Sequence, residues 1–394
     1  MNKVRIGVIG IGNIGSVHAL NIYQNKIKGA VLSAVCDINT GKLDWVKENL
    51  NGVSVFSDYK ALIDSGEAEA VIIATPHYYH PIMAMYAFEK GLHVLSEKPA
   101  GVYTEIVEQL NETAKKSGRK FAIMYNQRTD PLFSKAREIF RSGDIGELKR
   151  VVWIITNWYR NQIYYRSSSW RATWSGEGGG VLANQCPHNI DILQWIVGMP
   201  VSVSGHCGYG KYHDIEVEDD VTAYFEYENG ATGVFITSTG EFPGTNRLEI
   251  SGTKGKMIIE NGKISVWKLN ISEREFVSFD NDEFSNIKCT FSEFVPPAEE
   301  RPFPHNIIIQ NFVNSILNDE ELISPGFEGI KGLSVTNAIH MSDWLNKKVS
   351  IPPDGKLYKK ILDLKIQNSF KSGEVVKDSS VTMGKSSDRW NVKW

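Results

Sequence analysis

Short apolar runs alternate with amphipathic segments over residues 1–125. The runs are continuous in their apolar character, as expected for strands buried on both faces of a sheet. These predicted strands are KVRIGVIG (3–10), AVLSAVCD (30–37), AVIIAT (70–75), LHVLSE (92–97) and KFAIMY (120–125). The segments between them have helical periodicity, at 15–26, 41–50, 79–91 and 104–118. Strand and helix in alternation predict a parallel α/β sheet of the doubly wound type, covered by helices.

The pattern changes after residue 126. A helical segment at 131–146 precedes a strand-like run at 147–159, and residues 200–268 contain repeated strand-like runs separated by turns. Asn229-Gly230 within them is a strong signal for a hairpin. We therefore predict an α+β region with a large, mostly antiparallel open sheet. Two late helical segments, 305–317 and 329–347, are expected to pack on it.

This change in pattern predicts three regions. Residues 1–125 form a domain with a parallel sheet, residues 126–370 form a second, α+β domain, and residues 371–394 form an irregular tail. A chain of 394 residues is also longer than one ordinary domain.

Composition narrows the functional class. A hydrophobic content of 42%, a charged content of 23% and a net charge of −3 describe an ordinary globular protein without a basic surface for nucleic acid or anionic membranes. The four cysteines have no zinc-ligand or pairing spacing, so we predict no metal site and a reducing, cytoplasmic setting. No stretch reaches membrane-spanning length, so we expect no membrane partner.

A glycine motif follows the first predicted strand. Gly10, Gly12 and Gly15 form G-x-G-x-x-G, with Asn13 and Ile14 at the start of the next helix. The first glycine permits a tight turn, the second lets the backbone approach a pyrophosphate, and the third allows close helix–strand packing. The helix amides then face the phosphates. The motif predicts a dinucleotide site; the alternative is a glycine turn in a nucleotide-free sheet.

An acidic residue ends the second predicted strand. Asp37 lies 22 residues after Gly15, where its carboxylate can accept hydrogen bonds from a ribose hydroxyl. The same carboxylate repels a 2′-phosphate, which favours NAD over NADP. Asn39, Thr40 and Lys42 nearby could still accommodate a phosphate.

Two further strand ends carry polar residues. SEKPAG (96–101) places Glu97 and Lys98 after one strand, and TPHYYH (75–80) places Thr75, Pro76, His77 and His80 after another. Ligands bind beyond the carboxyl ends of strands in open parallel sheets, so these residues are candidate cofactor neighbours, with Lys98 near the nicotinamide. Alternatively, Lys98 is a surface cation and the histidines cap a helix.

The segment EGGGVLANQCPHNIDILQW (177–195) carries a polar stripe in an apolar setting. Asn184, His188 and Asp191 have spacings of four and three, which place them on one face of a helix. Pro187 suits a first helical turn, so we expect the helix to begin near Asn184. The three glycines are expected to let the chain pass close beneath substrate and cofactor. The stripe is either a hydrogen-bonded core patch or a reaction site.

Aromatic and cationic residues are concentrated just before these glycines. Rings beside arginine and amide groups suit the flat apolar faces and hydroxyl rims of sugars. Packing within a sheet or at a subunit interface is an equal alternative for each residue. The candidate substrate residues are Tyr159, Arg160, Tyr164, Tyr165, Trp170 and Arg171, with Asn126 from the domain junction.

Taken together, these motifs resemble the glucose–fructose oxidoreductase, inositol dehydrogenase and rhizopine catabolism family, Gfo/Idh/MocA. The resemblance rests on the order of G-x-G-x-x-G, the acidic end of the second strand, T-P-x-x-x-H, E-K-P and the later glycine, histidine and aspartate pattern at 178–191. It extends to about residue 350. It implies a Rossmann domain followed by an α/β domain whose open sheet makes a homodimer or homotetramer.

The resemblance also implies chemistry. Family members mostly oxidise or reduce a secondary alcohol of a sugar, glycoside or cyclitol with NAD(P). Lys98 matches the lysine of E-K-P, and His188 matches the histidine proposed to transfer the proton. Many members have an aspartate four residues before that histidine, where this chain has Asn184. Since an amide takes no proton, Asn184 is expected to bind a substrate hydroxyl instead, and N-Q-x-P-H-N-x-D resembles a subgroup motif.

These inferences predict that His188 removes the hydroxyl proton while the cation of Lys98 stabilises the developing alkoxide. Asp191 either orients the imidazole ring or caps its helix. Subgroup resemblance points to carbon 3 of a glucoside. Two alternatives stay open. One is a tightly bound, recycled NAD that supports internal redox transfer between sugars or redox-assisted glycoside cleavage. The other is a non-catalytic regulator, although a degraded member should lose the lysine or the histidine.

Overall fold

The computed structural model describes residues 3–278, 286–297, 301–370 and Gly373. In this part of the chain the helices α1–α13 are, in order, Asn13–Tyr23, Thr40–Asn49, Tyr59–Asp64, Tyr79–Glu89, Thr104–Ser117, Pro131–Arg141, Gln162–Arg166, Val181–Asn184, Pro187–Val197, Glu273–Phe276, Pro304–Asn318, Gly329–Leu345 and Gly355–Gln367. The predicted tail, 371–394, lies outside the described residues apart from Gly373.

Six parallel strands form the first sheet. They are β1 (Val4–Ile9), β2 (Ala30–Cys36), β3 (Ser54–Phe56), β4 (Ala70–Ile73), β5 (His93–Ser96) and β6 (Phe121–Ile123), in the spatial order β3-β2-β1-β4-β5-β6. Apolar clusters cover both faces, which explains the continuous apolar runs. The predicted parallel α/β domain is confirmed, and β3 and α3 are the elements that the pattern did not predict.

The second sheet contains nine strands. They are β7 (Leu148–Ile155), β8 (Ser202–Tyr209), β9 (Glu218–Glu226), β10 (Thr232–Ser238), β11 (Asn246–Gly252), β12 (Gly255–Glu260), β13 (Lys263–Leu269), β14 (Cys289–Phe294) and β15 (Val349–Ser350). Their order is β14-β13-β12-β11-β7-β10-β9-β8-β15, and every neighbouring pair except β7 and β10 is antiparallel. Asn229-Gly230 lies in the β9–β10 hairpin, as predicted.

Helices cover one face of this second sheet. Phe133 of α6, Ile190 of α9 and Ile339 of α12 share an apolar cluster with Trp153 and Phe235 of the sheet. The strands alternate buried and partly exposed positions, so the opposite face is open in the single chain. The predicted mixed architecture is therefore confirmed.

Helix α11 corrects one expectation. Its residues Ile308, Ile309 and Phe312 pack in the cluster that contains Val4 and Ile6 of β1, so the helix covers the first sheet and not the second. The next segment stays with that sheet, since the amide of Ile123 donates to Ser324 O at 3.1 Å. The chain thus returns to the first domain before α12 packs against β8.

Within the described ranges, no helix combines the length and apolar character needed to cross a bilayer.

Candidate active site

The three motif glycines sit in different surroundings. A Cβ on Gly15 would lie 1.8 Å from Gly10 O, and one on Gly10, where φ is +93°, would lie 2.5 Å from Ala74 O. A Cβ on Gly12 would meet no atom of the described residues within 4 Å. Gly10 and Gly15 are therefore required by packing, whereas Gly12 leaves its backbone open to a ligand.

The start of α1 offers amides to that open space. Gly12 is the N-cap and provides no side-chain hydrogen bond to the first turn, which contains Asn13 and Ile14. Uncapped amides at a helix N-terminus favour phosphate oxygens. The residues present therefore fit the pyrophosphate of a dinucleotide.

Asp37 supports the same loop. One carboxylate oxygen accepts from the amide of Ile11 at 2.7 Å and from Lys42 Nζ at 3.0 Å, and the other accepts from the amide of Asn39 at 2.9 Å. The side chain is 8% exposed at the end of β2. Each carboxylate oxygen can accept more than one hydrogen bond, so Asp37 keeps capacity for a ribose hydroxyl. Lys42 already has the Asp37 carboxylate as its ion-pair partner.

His80 joins the ends of two strands. Its Nδ1 lies 2.8 Å from Pro99 O and its Nε2 lies 2.6 Å from Thr75 O, which links the T-P-x-x-x-H and E-K-P segments. Pro76 lies in the same segment as Thr75. Backbone carbonyl oxygens lie within hydrogen-bond distance of both ring nitrogens, and a neutral imidazole donates to one of them, so the described contacts give His80 a structural role in shaping this edge of the sheet.

Lys98 follows β5 and reaches the second domain. Its Nζ donates to Asn184 O at 2.7 Å. Burial lowers the pKa of Lys98 below its usual 10.5, while the carboxylates of Glu97 and Glu177 act in the opposite direction. Glu97 itself is paired with His18 at 2.9 Å. Burial would raise the pKa of Glu97, but His18 and the nearby cations lower it to about 2.

His188 lies in the first turn of α9. Its Nδ1 is buried and has no hydrogen-bond partner among the described residues. The ring meets Tyr125 edge to face, with 6.1 Å between centroids. Burial, and then the charge of Lys98, hold the pKa of His188 well below 6.5. The imidazole is therefore neutral near pH 7 and able to accept a proton.

Asn184 and His188 belong to different helices, which corrects the predicted single helix. Asn184 ends α8, and α9 begins at Pro187 after a break at Gln185 and Cys186. The Nδ2 of Asn184 donates to Glu177 Oε1. This pair places a carboxylate beside Asn184 that the spacing pattern did not predict.

Asp191 neither orients His188 nor caps α9. Its two oxygens accept from Arg128 Nε at 2.8 Å and Arg128 Nη2 at 2.7 Å, and Gln194 Nε2 donates to one of them at 3.0 Å. Both side chains of the Arg128–Asp191 pair are 1% exposed. The aspartate therefore anchors α9 to the domain junction, an outcome outside the two that the sequence left open.

Arg171 gathers part of the predicted aromatic set. Its guanidinium lies 4.5 Å from the ring centre of Tyr164 and 4.7 Å from that of Trp170, and Nη1 donates to Tyr164 OH at 2.7 Å. The ring centres of Trp170 and His77 are 5.5 Å apart, and His77 Nδ1 lies 3.0 Å from the backbone oxygen of Glu177. These contacts bring the aromatic segment to the same region as Glu177.

The remaining candidates are less close together. Arg160 lies over the Tyr164 ring at 5.1 Å, whereas Tyr159 is 47% exposed and contacts Phe242. Tyr165 is buried in the second domain and pairs with Thr239 Oγ1 at 2.7 Å, so it is a core residue and not a pocket residue. Asn126 follows β6 and has a buried Oδ1 without a partner among the described residues.

Comparison with known proteins decides the family. Residues 4–125 match the model described as an oxidoreductase family with an NAD-binding Rossmann fold, and residues 133–258 match the GFO/IDH/MocA C-terminal domain. The chain belongs to the Gfo/Idh/MocA family. The predicted family, its oxidoreductase class and its NAD-binding domain are thereby confirmed.

Named relatives include two inositol dehydrogenases. The chain is 29% identical over 273 residues to scyllo-inositol 2-dehydrogenase (NAD(+)) of Bacillus subtilis, covering 66% of this chain and 74% of that protein. It is 29% identical over 271 residues to myo-inositol 2-dehydrogenase of Thermotoga maritima, covering 66% and 75%. A similar solved structure is the WlbA dehydrogenase of Bordetella pertussis in complex with NADH and UDP-GlcNAcA, with a TM-score of 0.74, 26% identity and coverage of 90% of this chain and 100% of that one.

The glycines at 178–180 are explained by packing in this Gfo/Idh/MocA chain. A Cβ on Gly178 would lie 2.2 Å from Val102, and one on Gly180 would lie 1.9 Å from Glu218 O. Glu218 Oε1 also accepts from the amides of Gly180 and Leu182 at 2.8 and 3.1 Å. The passage of these glycines beneath substrate and cofactor stays a prediction, and the structure shows that they also lie in close contact with protein.

A large cavity of this Gfo/Idh/MocA chain is not lined by the candidate catalytic residues. Its volume is about 780 Å³, and it lies between α1 and α11 with Val17, Asn21, Phe303 and Asn306 in its wall. Lys98 and the α8–α9 residues do not line it, so size alone does not locate the candidate active site.

Proposed function

We propose that this protein is an NAD-dependent dehydrogenase that oxidises a secondary hydroxyl of a cyclitol, sugar or glycoside. The observation that carries the proposal is the meeting of Lys98 from the first domain with the α8–α9 segment of the second. Lys98 donates to Asn184 O, and its charge helps to keep the imidazole of His188 neutral. A cation that contacts this segment and a neutral base within it suit the oxidation of an alcohol.

Bound NAD would supply a hydride acceptor at its nicotinamide ring. The open backbone at Gly12 and the uncapped amides of Asn13 and Ile14 would hold the pyrophosphate. Asp37 would hold the ribose. We place Thr75, Pro76 and Glu97 along the same edge of the sheet, with His80 fixing its shape.

His188 is assigned as the proton acceptor. Its low pKa keeps it unprotonated near pH 7, so it can take the hydroxyl proton. Lys98 is assigned to the oxygen that gains negative charge, where an ammonium stabilises an alkoxide. Asn184 offers an amide to a neighbouring hydroxyl.

The proposed substrate class rests on the side chains around Arg171 and on the named relatives. Arg171, Trp170 and Tyr164 form a surface with flat rings and a cation, and Arg160 and Asn126 add polar groups. Tyr159 lies at the exposed end of this set. Relatives at 24–29% identity are named inositol and levoglucosan dehydrogenases. We therefore propose a ring polyol, with carbon 3 of a glucoside as one position to test.

A substrate panel tests the proposal. Inositol isomers, free pyranoses and methyl glycosides are each mixed with enzyme and NAD or NADP, and a straight-chain polyol serves as the control. We expect absorbance at 340 nm to rise with NAD and at least one ring polyol, whose product lacks two hydrogens by mass. If every ring polyol is unchanged by mass while NAD binds, the proposal is wrong.

We also propose that the open face of the second sheet joins copies of this chain. Val152, Ile154, Val234 and Ile236 lie side by side on that face, because β7 and β10 pair in register. Tyr224 extends the apolar row, being paired with Val234. An apolar centre of this kind favours burial between subunits.

Molar mass by light scattering tests the interface. Ile236→Glu should convert a dimer or tetramer into a smaller species because it buries a charge at the centre of the face. Ile82→Glu, on the exposed side of α4, is the control and should leave the mass unchanged. A monomeric wild-type protein would contradict this proposal.

A further inference from the structure

Glu177 is a buried carboxylate outside the set of predicted site residues. It precedes the three glycines and is 1% exposed. Its Oε1 accepts from Asn184 Nδ2, and its Oε2 accepts from the amide of Ala172 at 2.6 Å. Arg171 Nη1 lies 3.6 Å away. A buried carboxylate with this many donors is held in one orientation.

Asn184 connects this carboxylate to Lys98. The backbone carbonyl oxygen of Asn184 accepts from Lys98 Nζ at 2.7 Å, while the side-chain amide of Asn184 donates to Glu177. The commitment of Nδ2 to Glu177 leaves the side-chain oxygen of Asn184 as an acceptor for another group. Glu177 therefore fixes which atom of the amide remains available.

Charged and titratable groups other than Glu177 also interact with Lys98. Glu97, the other acidic neighbour, is paired with His18. Further groups that interact electrostatically with the ammonium are Arg171, Cys186, His77, His80, His188 and His305. Burial of the cation and the charge of Arg171 oppose the charged form of Lys98, whereas Glu97 and then Glu177 favour it.

We infer that Glu177 is a positioning residue that orients the Asn184 amide toward a substrate hydroxyl and, together with Glu97, places negative charge beside Lys98. The Glu177–Asn184 pair acts as one unit, with the carboxylate on the loop and the amide at the end of α8. This inference rests on the proposed function, because it concerns the same hydroxyl site.

The first variant is Glu177→Gln, which keeps the size of the side chain and removes its charge. The pKa of Lys98 is read by competitive acetylation and mass spectrometry, with neither NAD nor substrate present. We expect it to fall by about one unit or more, since a neighbouring carboxylate shifts a pKa by roughly 1–3 units. The alkaline limb of the kcat profile should move to lower pH by a similar amount. Glu112→Gln, on the exposed side of α5, is the matched control and should change neither quantity.

The second variant exchanges the pair, Glu177→Gln with Asn184→Asp. The hydrogen bond then runs from the amide at 177 to the carboxylate at 184, and the charge beside Lys98 returns. We expect the pKa of Lys98 and the alkaline limb to return toward the wild-type values. Asn184→Asp alone should not reproduce wild type, because two carboxylates in contact share a proton.

The outcomes separate this inference from the proposed function. A Lys98 pKa that is unchanged in folded Glu177→Gln overturns the inference, as does an exchanged variant that shows no recovery. If Glu177→Gln fails to fold, a folded exchanged variant with the wild-type pKa supports the pair, and failure of both to fold overturns it. The labelling needs no catalysis, whereas failure of the proposed function would be seen in the substrate panel.

Discussion

Gly12 differs from the other motif glycines in what surrounds its α-carbon. Its φ of −81° is accessible to any residue, and a Cβ there would meet no atom of the described residues within 4 Å. Gly12→Ala should therefore leave the melting temperature of the cofactor-free protein nearly unchanged. The same methyl group should weaken NAD binding at least tenfold, because it occupies the space through which a pyrophosphate approaches the backbone.

Gly15→Ala provides the contrast. Its Cβ would lie 1.8 Å from Gly10 O, so this variant should lower the melting temperature even without NAD. Calorimetry measures both effects. Unaltered NAD affinity in Gly12→Ala would contradict the assignment of the pyrophosphate site.

Individual residues were predictable where the backbone alone fixes their place. Lys98 and Asp37 follow strands, and parallel strands end at one edge of a sheet, so their location could be read from the sequence. Glu177 could not be predicted, because its contact with Asn184 depends on the path of an irregular loop. The signal that was present is a lone acid immediately before three glycines, in a segment otherwise rich in rings and cations.

At the scale of elements, α9 is held by a buried ion pair. Asp191 and Arg128 are both 1% exposed, and Arg128 also donates to Glu328 Oε2 at 2.5 Å. Asp191→Ala should lower the free energy of unfolding by about 3–5 kcal/mol, since it leaves a buried guanidinium without its main partner. Urea denaturation measures the loss, and Arg128→Met combined with Asp191→Ala should lose less.

Kinetics separate this anchoring role from a catalytic one. Asp191→Asn should leave the acidic limb of the kcat/KM profile in place, because Asp191 does not contact the ring of His188. A clear displacement of that limb would show that Asp191 shifts the pKa of His188.

Periodicity predicted most elements but not their partners. The helical pattern of residues 305–317 is equally suited to either sheet, and only the apolar cluster with β1 shows that α11 covers the first. The stripe at 184, 188 and 191 satisfies helical spacing across a break that the pattern cannot detect, since Pro187 is compatible with a helix start or with a first turn.

At the scale of the whole molecule, buried histidines set the response to acid. Burial lowers the pKa of His305 to about 3 and that of His93 to about 4, and the pKa values of His77 and His188 are also well below 6.5. Each of these histidines is therefore protonated to a greater extent in the unfolded chain than in the folded one below pH 6.5. The contribution of these histidines to the free energy of unfolding should be fully present above pH 6.5 and should decrease as the pH drops toward 4.

Thermal unfolding from pH 7.5 to pH 4.5 checks this expectation. The melting temperature should decrease with pH, and His305→Gln should make the decrease smaller, because it removes one of these buried groups. Gln109→Asn, at an exposed position of α5, changes no titratable group and should leave the slope unchanged. A melting temperature that is flat across the range would contradict the account.

The fold class was predictable because continuous and alternating apolar runs distinguish a sheet buried on both faces from one that is open on one side. The division at residue 125, the cytoplasmic setting and the oligomeric state stay predictions. The path of the chain back to the first sheet through α11 shows why such a division is difficult to read: sequence order and spatial domain do not coincide there.

The pre-steady-state rate of NADH formation, measured with the best ring polyol from the panel and saturating NAD, tests whether Lys98 and His188 act in the reaction. Wild type, Lys98→Met and His188→Ala are compared, with Lys115→Met at an exposed position of α5 as the matched control. Both active-site variants should bind NAD yet form NADH about 10²–10⁴-fold more slowly, as expected when a positioned proton-transfer group or its cationic partner is lost. Near-wild-type rates in both variants would contradict the assignment of Lys98 and the α8–α9 segment to the active site.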